Sequence, residues 1–349
     1  MSLQQLLRID LPIIQAPMAG AQGSALAIAV SNEGALGSLP CAVFDVETIR
    51  KELAALRAQT SRPFNLNFFC HVQPEVDDAQ EVRWRATLAP YFAEFGIDPS
   101  GIRPGPGRRT FGAEHVEVIE EFKPPVVSFH FGLPAAPLVS RVKNTGAKIL
   151  ASATTVDEAR WLEANGADVI IAQGVEAGGH RGLFLTDDIA TQVGTFSLVP
   201  QVVNAVGVPV VAAGGIGDAK GVAAAMALGA AGVQVGTAYL LCPEVSITPL
   251  HRAALQSGSA HVTALTNLFT GRPARGIVNR LMRELGYMHA AAPRFPLATA
   301  AIAPLRAKAE SLGSGDFSPL WAGQNTTGCK AIPAALLTRE LARGLPASQ

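Results

Sequence analysis

The chain is poor in charge, in aromatic residues and in cysteine. Of its 349 residues, 16% are charged and 6% are aromatic, and Lys plus Arg equals Asp plus Glu at 28 each. This balance excludes a strongly basic surface for nucleic acid or an anionic membrane, so we expect a small-molecule partner. The 48% hydrophobic content predicts a large buried core, which argues against a disordered chain.

The four cysteines, Cys41, Cys70, Cys242 and Cys329, are too scattered for a zinc cluster and too few to crosslink a chain of this length. Cys70 precedes His71, but adjacent strand residues point to opposite faces, so we interpret Cys70 as an ordinary packed residue. No two histidines are spaced at i, i+4, and we predict no metal site. The first residues lack the pattern of a signal peptide, which favours a cytoplasmic protein. The sequence leaves open whether the chain forms a homodimer.

Short apolar runs bounded by glycine and proline predict buried parallel strands. Amphipathic helical segments separate most of them; Asp45 is a predicted N-cap, Thr155 and Glu158 form a predicted capping box, and Pro137 suits a first helical turn. Eight such β/α units predict an α/β fold, a (β/α)8 TIM barrel with its active face at the carboxyl ends of the strands. The predicted strands span 12–16, 35–39, 65–69, 126–129, 148–151, 169–172, 208–212 and 232–235.

Two stretches exceed a minimal barrel. Residues 71–125 are charged and include a Gly- and Pro-rich run at 101–109, which predicts a long connection between the third and fourth strands. Residues 243–309 predict a smaller, helix-rich substrate or cap domain that excludes water from the site. Residues 1–242 and 310–349 then form the barrel domain. The uncharged segment 221–242 is long enough to cross a bilayer, but its glycines favour a helix followed by a buried strand.

One histidine, His180, lies on a glycine-rich loop directly after the apolar run 168–172. The pKa of histidine is close to neutral pH, which suits a general base at the end of a strand. His130 ends another predicted strand, where a structural or substrate-side hydrogen bond and a catalytic role fit equally well. We interpret Glu176 as a loop anchor and Arg181 as a solvated surface residue.

Glycines after the last two predicted strands indicate a phosphate site. Gly214 and Gly215 follow the seventh strand and Gly236 follows the eighth, and a missing side chain lets a phosphate approach the backbone. Sugar phosphates, thiamine precursors and FMN all use such loops. The amides of Asn65, Asn67 and Gln173, together with residues 15–20, favour FMN, whose ring needs polar partners at one edge and an apolar bed.

These motifs resemble the nitronate monooxygenases, formerly called 2-nitropropane dioxygenases, over nearly the whole chain. The resemblance implies an FMN-dependent barrel with His180 as the catalytic histidine, and we assign His130 to substrate binding. The motifs are Gln15-Ala16-Pro17-Met18-Ala19-Gly20, Phe64-Asn65-Leu66-Asn67-Phe68-Phe69, Ser128-Phe129-His130-Phe131-Gly132, Gln173-Gly174-Val175-Glu176-Ala177-Gly178-Gly179-His180, Gly214-Gly215-Ile216, and a tail typical of class I members, Trp321-Ala322-Gly323-Gln324. The candidate flavin contacts are Ala16, Pro17, Met18, Asn67, Gln173, Gly178, Gly179, Gly214, Gly215, Gln234, Val235, Gly236 and Thr237.

The expected reaction is the oxidation of alkyl nitronates, such as propionate 3-nitronate, by O₂ to a carbonyl compound and nitrite or related nitrogen oxides. FMN-dependent NAD(P)H enoyl-[acyl-carrier-protein] reductases carry a similar Ala-Gly-Gly-His run and are the alternative. A flavin-free barrel lyase or synthase acting on a phosphorylated metabolite explains only the phosphate loops. Within the cap, the segment 270–276 is either a loop that meets substrate or flavin from above or a surface turn with two arginines.

Overall fold

A computed structural model describes residues 1–102 and 108–346. Its strands are short and mostly buried, and several of them are continuous apolar runs that end at glycine, proline or a polar residue. In chain order they are β1 (Ile13–Gln15), β2 (Gly37–Pro40), β3 (Phe64–Phe69), β4 (Val126–His130), β5 (Lys148–Ala153), β6 (Val169–Gln173), β7 (Gly179–His180), β8 (Val210–Ala213), β9 (Gly232–Val235), β10 (Thr263–Thr266) and β11 (Ala274–Ile277).

Eight of the described strands form a parallel sheet in the order β1-β9-β8-β6-β5-β4-β3-β2. The sheet closes where the Gln15 amide donates to the Leu36 carbonyl at 2.9 Å and the Leu36 amide donates to Ile13, also at 2.9 Å. The predicted TIM barrel is therefore confirmed. Each predicted strand agrees with an observed one to within two residues at either end.

The helices surround the barrel and cover one end of it. Asp45 accepts a hydrogen bond from the Thr48 amide at 2.8 Å, which confirms it as an N-cap. Thr155 accepts from the Glu158 amide at 3.2 Å, but Glu158 bonds Thr154 instead of completing the predicted box. The helices are α1 (Leu3–Leu7), α2 (Ser24–Asn32), α3 (Val46–Gln59), α4 (Asp78–Phe95), α5 (Ala113–Phe122), α6 (Ala136–Asn144), α7 (Val156–Ala164), α8 (Thr195–Val203), α9 (Ala219–Ala227), α10 (Pro249–Gln256), α11 (Arg280–Leu285), α12 (Thr299–Ser311) and α13 (Ala334–Ala342).

The long connection between β3 and β4 contains α4 and α5, so the predicted excursion is present and largely helical. Of its Gly- and Pro-rich run, residues 103–107 lie outside the described part of the chain. The segment 221–242 is a helix followed by a buried strand, as expected. In the described ranges, no helix has the length and apolar character needed to cross a membrane.

The cap contains more strand, and draws on more of the chain, than its helix-rich pattern predicts. Strands β10 and β11 pair antiparallel, and β11 also pairs with β7, which follows the barrel strand β6. Helix α4 packs its Trp84 and Phe92 into one apolar cluster with Met282 and Leu305 of the cap helices. The domain boundaries at 243 and 309 stay a prediction, and α4 lies on the cap side of the molecule by its packing.

The segment after the cap returns to the barrel. The Tyr239 hydroxyl, which follows β9, lies 2.8 Å from the Thr338 hydroxyl of α13, and both side chains are buried. Further upstream in the same segment, the amide of Gly323 donates to the Thr237 hydroxyl at 2.9 Å. These contacts bring Trp321, between the cap and α13, to the mouth of the barrel.

Candidate functional site

A cavity of about 330 Å³ opens at the carboxyl ends of the barrel strands. It brings together residues that are far apart in the sequence, as expected for a barrel site. Val235 is the exception among the candidates, because its side chain is buried and its carbonyl instead accepts a 2.8 Å bond from the Ala16 amide. The predicted residues that line the cavity are Ala16, Pro17, Met18, Asn67, His130, Gln173, Gly178, Gly179, His180, Gly214, Gly215, Gln234, Gly236 and Thr237.

The two glycines before His180 meet different physical demands. A Cβ on Gly178 would lie 2.5 Å from the Gly323 amide nitrogen and 2.7 Å from the Ala322 carbonyl carbon, so the tail backbone occupies the space of a side chain. Gly179 has no atom within 4 Å of a Cβ, but its φ of +70° lies in the left-handed region. The first glycine admits the tail, and the second turns the chain into β7.

The loop between β6 and β7 is held from inside by Gln173 and Arg181. The Gln173 amide donates to the His180 carbonyl at 3.0 Å and accepts from the Gly182 amide at 2.8 Å. The Arg181 guanidinium donates to the carbonyls of Gly174 at 2.7 Å and Gln173 at 2.6 Å, and its Nε donates to Gln192 at 2.9 Å. The surface position predicted for Arg181 is wrong, because its side chain is fully buried and carbonyl oxygens take the place of water.

Glu176 anchors the other end of this loop. Its carboxylate oxygens accept from the Thr195 amide at 2.8 and 2.9 Å, and one oxygen also accepts from the Thr195 hydroxyl at 2.8 Å. The interpretation of Glu176 as a loop anchor is confirmed. Both Glu176 and Thr195 are thereby fixed against Gly214, whose carbonyl oxygen lies 3.0 Å from the Thr195 hydroxyl.

His180 belongs to the small antiparallel sheet, where it pairs with Ala274 of β11. Its Nε2 lies 2.9 Å from the Thr270 hydroxyl, and Thr270 lies 3.5 Å from the Arg272 carbonyl. Burial lowers the pKa of His180 well below its ordinary value, and the positive charge of Arg108 lowers it further. The imidazole is therefore neutral at neutral pH.

The segment 270–276 is the neighbour of His180 in the cap. Besides the Thr270 contact, Arg275 is buried and donates to the Val175 carbonyl at 2.9 Å. Arg272 places its guanidinium carbon 4.1 Å from the Phe131 ring centroid. The surface-turn alternative for this segment is therefore wrong, since Arg275 is hydrogen-bonded to the β6–β7 loop and Arg272 packs on the Phe131 ring.

His130 supports His180 through the backbone. Its Nε2 lies 3.2 Å from the His180 carbonyl, so in the neutral ring Nε2 carries the proton and donates it. Burial lowers the pKa of His130 to about 3. A Cβ on Gly182 would lie 2.9 Å from the His130 ring, so Gly182 permits this approach, a role that the sequence reading missed.

Aromatic side chains from four separate segments surround His180. The rings of Phe295, Trp321 and Phe69 lie 5.2, 5.5 and 6.4 Å from the His180 ring, centroid to centroid. Phe131 lies 6.1 Å away and has a φ of +70°, a strained conformation for a bulky residue. We call these four residues the aromatic chamber. Phe69, Phe131 and Trp321 lie in motifs that the sequence analysis identified, but no feature of those motifs indicated that their rings meet Phe295 around His180.

Besides His180 and His130, a third histidine, His71, contacts the aromatic chamber. His71 lies 4.9 Å from the Phe295 ring and its Nε2 lies 3.1 Å from the Arg108 carbonyl, while its buried Nδ1 has no hydrogen-bond partner in the described residues. Burial raises the pKa of the adjacent Cys70 thiol well above its ordinary value. Cys70 is therefore an inert packed residue, as predicted.

Opposite the aromatic chamber, the cavity offers backbone and amide groups. Gly214 and Gly215 have φ of +114° and +74°, which only glycine adopts readily. Asn67 donates to the Ser128 hydroxyl at 2.9 Å, and the buried Gln234 Oε1 has no partner within the described structure. Asn65 is fully buried in the barrel below and does not line the cavity. This side of the cavity therefore carries a hydrogen-bond acceptor without a partner in the described residues, Gln234 Oε1, together with the glycine loops that follow β8 and β9.

The sequence and the fold of this chain are both similar to those of known proteins. A family model described as nitronate monooxygenase matches residues 1–344. A nitronate monooxygenase from Paraburkholderia phytofirmans is 42% identical over 350 residues, with 99% of this chain and 95% of the relative covered. The structure of nitroalkane oxidase from Streptomyces ansochromogenes is 40% identical with a TM-score of 0.89, covering 98% of this chain and 97% of that one. FabK from Thermotoga maritima is 29% identical with a TM-score of 0.74, covering 98% and 94%.

Proposed function

This chain belongs to the nitronate monooxygenase family, and on that premise we propose that it is an FMN-dependent enzyme that oxidises alkyl nitronates with O₂. The products are a carbonyl compound and nitrite or related nitrogen oxides. The observation that carries the proposal is a neutral, partly buried His180 that contacts an aromatic chamber and lines a glycine-rich cavity at the carboxyl ends of the strands. We further propose that the enzyme acts in the cytoplasm on small molecules alone.

FMN fits the residues on the far side of the cavity. Gly214, Gly215 and Gly236 present backbone without side chains where a phosphate would bind, and the short helix after Gly236 has no side-chain cap. The unpartnered Gln234 Oε1 can accept a hydrogen bond from an N–H of the flavin ring, which supports recognition of the polar edge of that ring by this side chain. Residues 16–18 supply the apolar bed. Bound FMN would supply the electron acceptor for the nitronate and would pass the electrons to O₂.

His180 would handle the proton when the substrate arrives as a neutral nitroalkane. If the Thr270 hydroxyl donates to the Arg272 carbonyl, it accepts the Nε2 proton of His180, which leaves the Nδ1 lone pair free. Because the imidazole is neutral, Nδ1 can take a proton from the carbon next to the nitro group. A substrate that is already a nitronate needs no such step, and His180 would then orient it. His130 would keep His180 in place through the carbonyl contact.

The first experiment mixes the purified protein anaerobically with an alkyl nitronate and, separately, with NADH or NADPH, while flavin absorbance is recorded. We expect a yellow protein whose flavin is bleached rapidly by the nitronate and slowly or not at all by either nicotinamide. In air, the same nitronate should drive oxygen consumption. Rapid bleaching by NADH with an inert nitronate would favour the enoyl reductase alternative, and a colourless preparation would favour the flavin-free one.

The role of His180 is tested by His180→Asn. Loss of a general base costs about 10²- to 10⁴-fold in rate, so turnover of neutral nitroalkanes should fall by that factor. Flavin affinity and turnover of the preformed nitronate should change far less. His261→Asn is the matched control, since His261 is exposed. Parallel loss of flavin binding and of both activities in His180→Asn would show that the residue is structural.

A further inference from the structure

Two arginines in the described residues line the cavity, and they differ in their partners. Arg306 pairs with Glu310 at 2.7 Å, and Glu310 also accepts from the Ser318 hydroxyl at 2.7 Å. Arg108 forms no ion pair with a carboxylate in the described structure. The neighbouring residues 103–107 read Arg-Pro-Gly-Pro-Gly and contain no acidic side chain. The cavity therefore holds one compensated cation and one uncompensated cation.

Arg108 and His180 both contact the aromatic chamber at Phe295. The Arg108 guanidinium carbon is 5.8 Å from the Phe295 ring centroid, and the His180 ring is 5.2 Å from the same centroid. The Arg108 carbonyl accepts from His71 Nε2 at 3.1 Å, which ties the backbone of Arg108 to the barrel. The position is thus fixed at the backbone, and the guanidinium faces the cavity that His180 also lines.

Arg108 is partly buried, its guanidinium keeps its charge, and it has no carboxylate partner in the described residues. Burial lowers the pKa of Arg108, but an arginine remains protonated at neutral pH. A buried charge is costly unless an opposite charge or hydrogen bonds compensate it. The histidines of the chamber carry no charge at neutral pH, because burial lowers the pKa of His71 to about 4 and that of His130 to about 3. Of the two arginines in the described residues that line the cavity, Arg108 is then the one free to pair with a ligand.

We propose that Arg108 is the counter-ion of the substrate, and that its guanidinium binds the negatively charged nitronate inside the aromatic chamber. This inference rests on the proposed function for the identity of the anion. Arg108 would select the nitronate over the neutral nitroalkane of the same carbon skeleton, since only the anion gains from the charge. His180, in contrast, serves both forms. The division assigns affinity for the anion to Arg108 and proton transfer to His180.

The test compares Arg108→Gln with Arg109→Gln in the flavin-loaded enzyme. Arg109 is an exposed neighbour whose partner is Glu114 at 3.4 Å, so it controls for the loss of one positive charge. For Arg108→Gln, we expect KM for an alkyl nitronate to rise about 30-fold, equivalent to about 2 kcal/mol at about 1.4 kcal/mol per tenfold change. KM for the matching nitroalkane and flavin content should stay within about twofold. Arg108→Lys keeps the charge and should recover most of the affinity, which separates charge from folding.

A second measurement uses nitrate, an unreactive planar anion, and follows its perturbation of flavin absorbance. The Kd for nitrate should be at least tenfold higher in Arg108→Gln than in the wild type, and unchanged in Arg109→Gln. If nitrate does not bind the wild type, or binds equally to Arg108→Gln, the inference is overturned. A wild type that binds nitrate through Arg108 but oxidises no nitronate would refute the proposed function alone.

Discussion

Substitution of Gly178 by alanine should detach the tail from the mouth of the barrel. The added Cβ would lie 2.5 Å from the Gly323 nitrogen and 2.7 Å from the Ala322 carbonyl carbon, so backbone has to move. Overpacking of this kind costs about 1–3 kcal/mol. The displaced segment also loses the bonds from the Gly323 amide to Thr237 and from the Gln324 amide to Glu176, both at 2.9 Å.

At about 0.5–1.5 kcal/mol for each hydrogen bond, the total loss for Gly178→Ala is about 2–6 kcal/mol. With an unfolding entropy of about 2.1 cal/mol/K per residue, the midpoint of a two-state thermal transition should fall by about 3–8 °C. Because Trp321 travels with the tail, its fluorescence should shift to the red. The Trp321 signal is identified by difference against Trp321→Phe.

Gly179→Ala is the matched control, because a Cβ there meets nothing within 4 Å and the cost comes from the φ of +70° alone. The left-handed conformation costs about 1–2 kcal/mol, so the midpoint should fall by about 1–3 °C. The Trp321 emission should not change. Unaltered stability and unaltered Trp321 emission in Gly178→Ala would refute the steric explanation for this glycine.

The remaining predictions concern ionisable side chains that are buried. Burial lowers the pKa of His251 to about 4, whereas the unfolded chain protonates it below about pH 6.5, so the unfolded state binds more protons between these values. The free energy of unfolding should therefore decrease by up to about 1.4 kcal/mol per pH unit from this residue as the pH falls from 6.5 to 4, and chemical denaturation of His251→Gln should show a correspondingly shallower profile. Arg181→Met should lose about 3–5 kcal/mol of unfolding free energy, because two carbonyls and Gln192 lose their donor. Exposed Arg160→Met should stay within about 0.5 kcal/mol, and an equal effect of the two would contradict the buried role of Arg181.

The barrel was predictable because its strands are encoded locally. A parallel strand buried on both faces needs a continuous apolar run, as in Val169–Gln173, and such a run is visible without knowledge of its neighbours. The packing of α4 against the cap was not visible, since Trp84 and Phe92 on a helix indicate a buried face but not its partner. Strand β11 was missed because its sequence, Ala-Arg-Gly-Ile, carries no strong strand preference and its pairing with β7 is non-local.

The residues of the candidate site also fall into two groups, those whose positions the sequence predicts and those whose positions depend on non-local packing. Glycine loops and His180 follow strand ends, so their convergence could be inferred from the barrel alone. Arg181 could not be placed correctly, because the carbonyls of Gln173 and Gly174 that satisfy it leave no mark in the sequence. Phe69, Phe131 and Phe295 look like ordinary core residues, and only the folded chain brings them together around one imidazole.

The pairing of His180 with Ala274 limits how the cap can move. In many enzymes a lid is tethered by loops at its rim and swings away from an intact active centre. Here a strand of the cap is hydrogen-bonded to the strand that carries the histidine, so any hinge motion that lifts β11 either drags His180 with it or breaks the ladder. Opening the cap in this way would dismantle the site itself. The position of His180 is therefore coupled to that of β11, and passage of reactants through the existing opening of the cavity leaves the site intact, whereas lifting β11 does not.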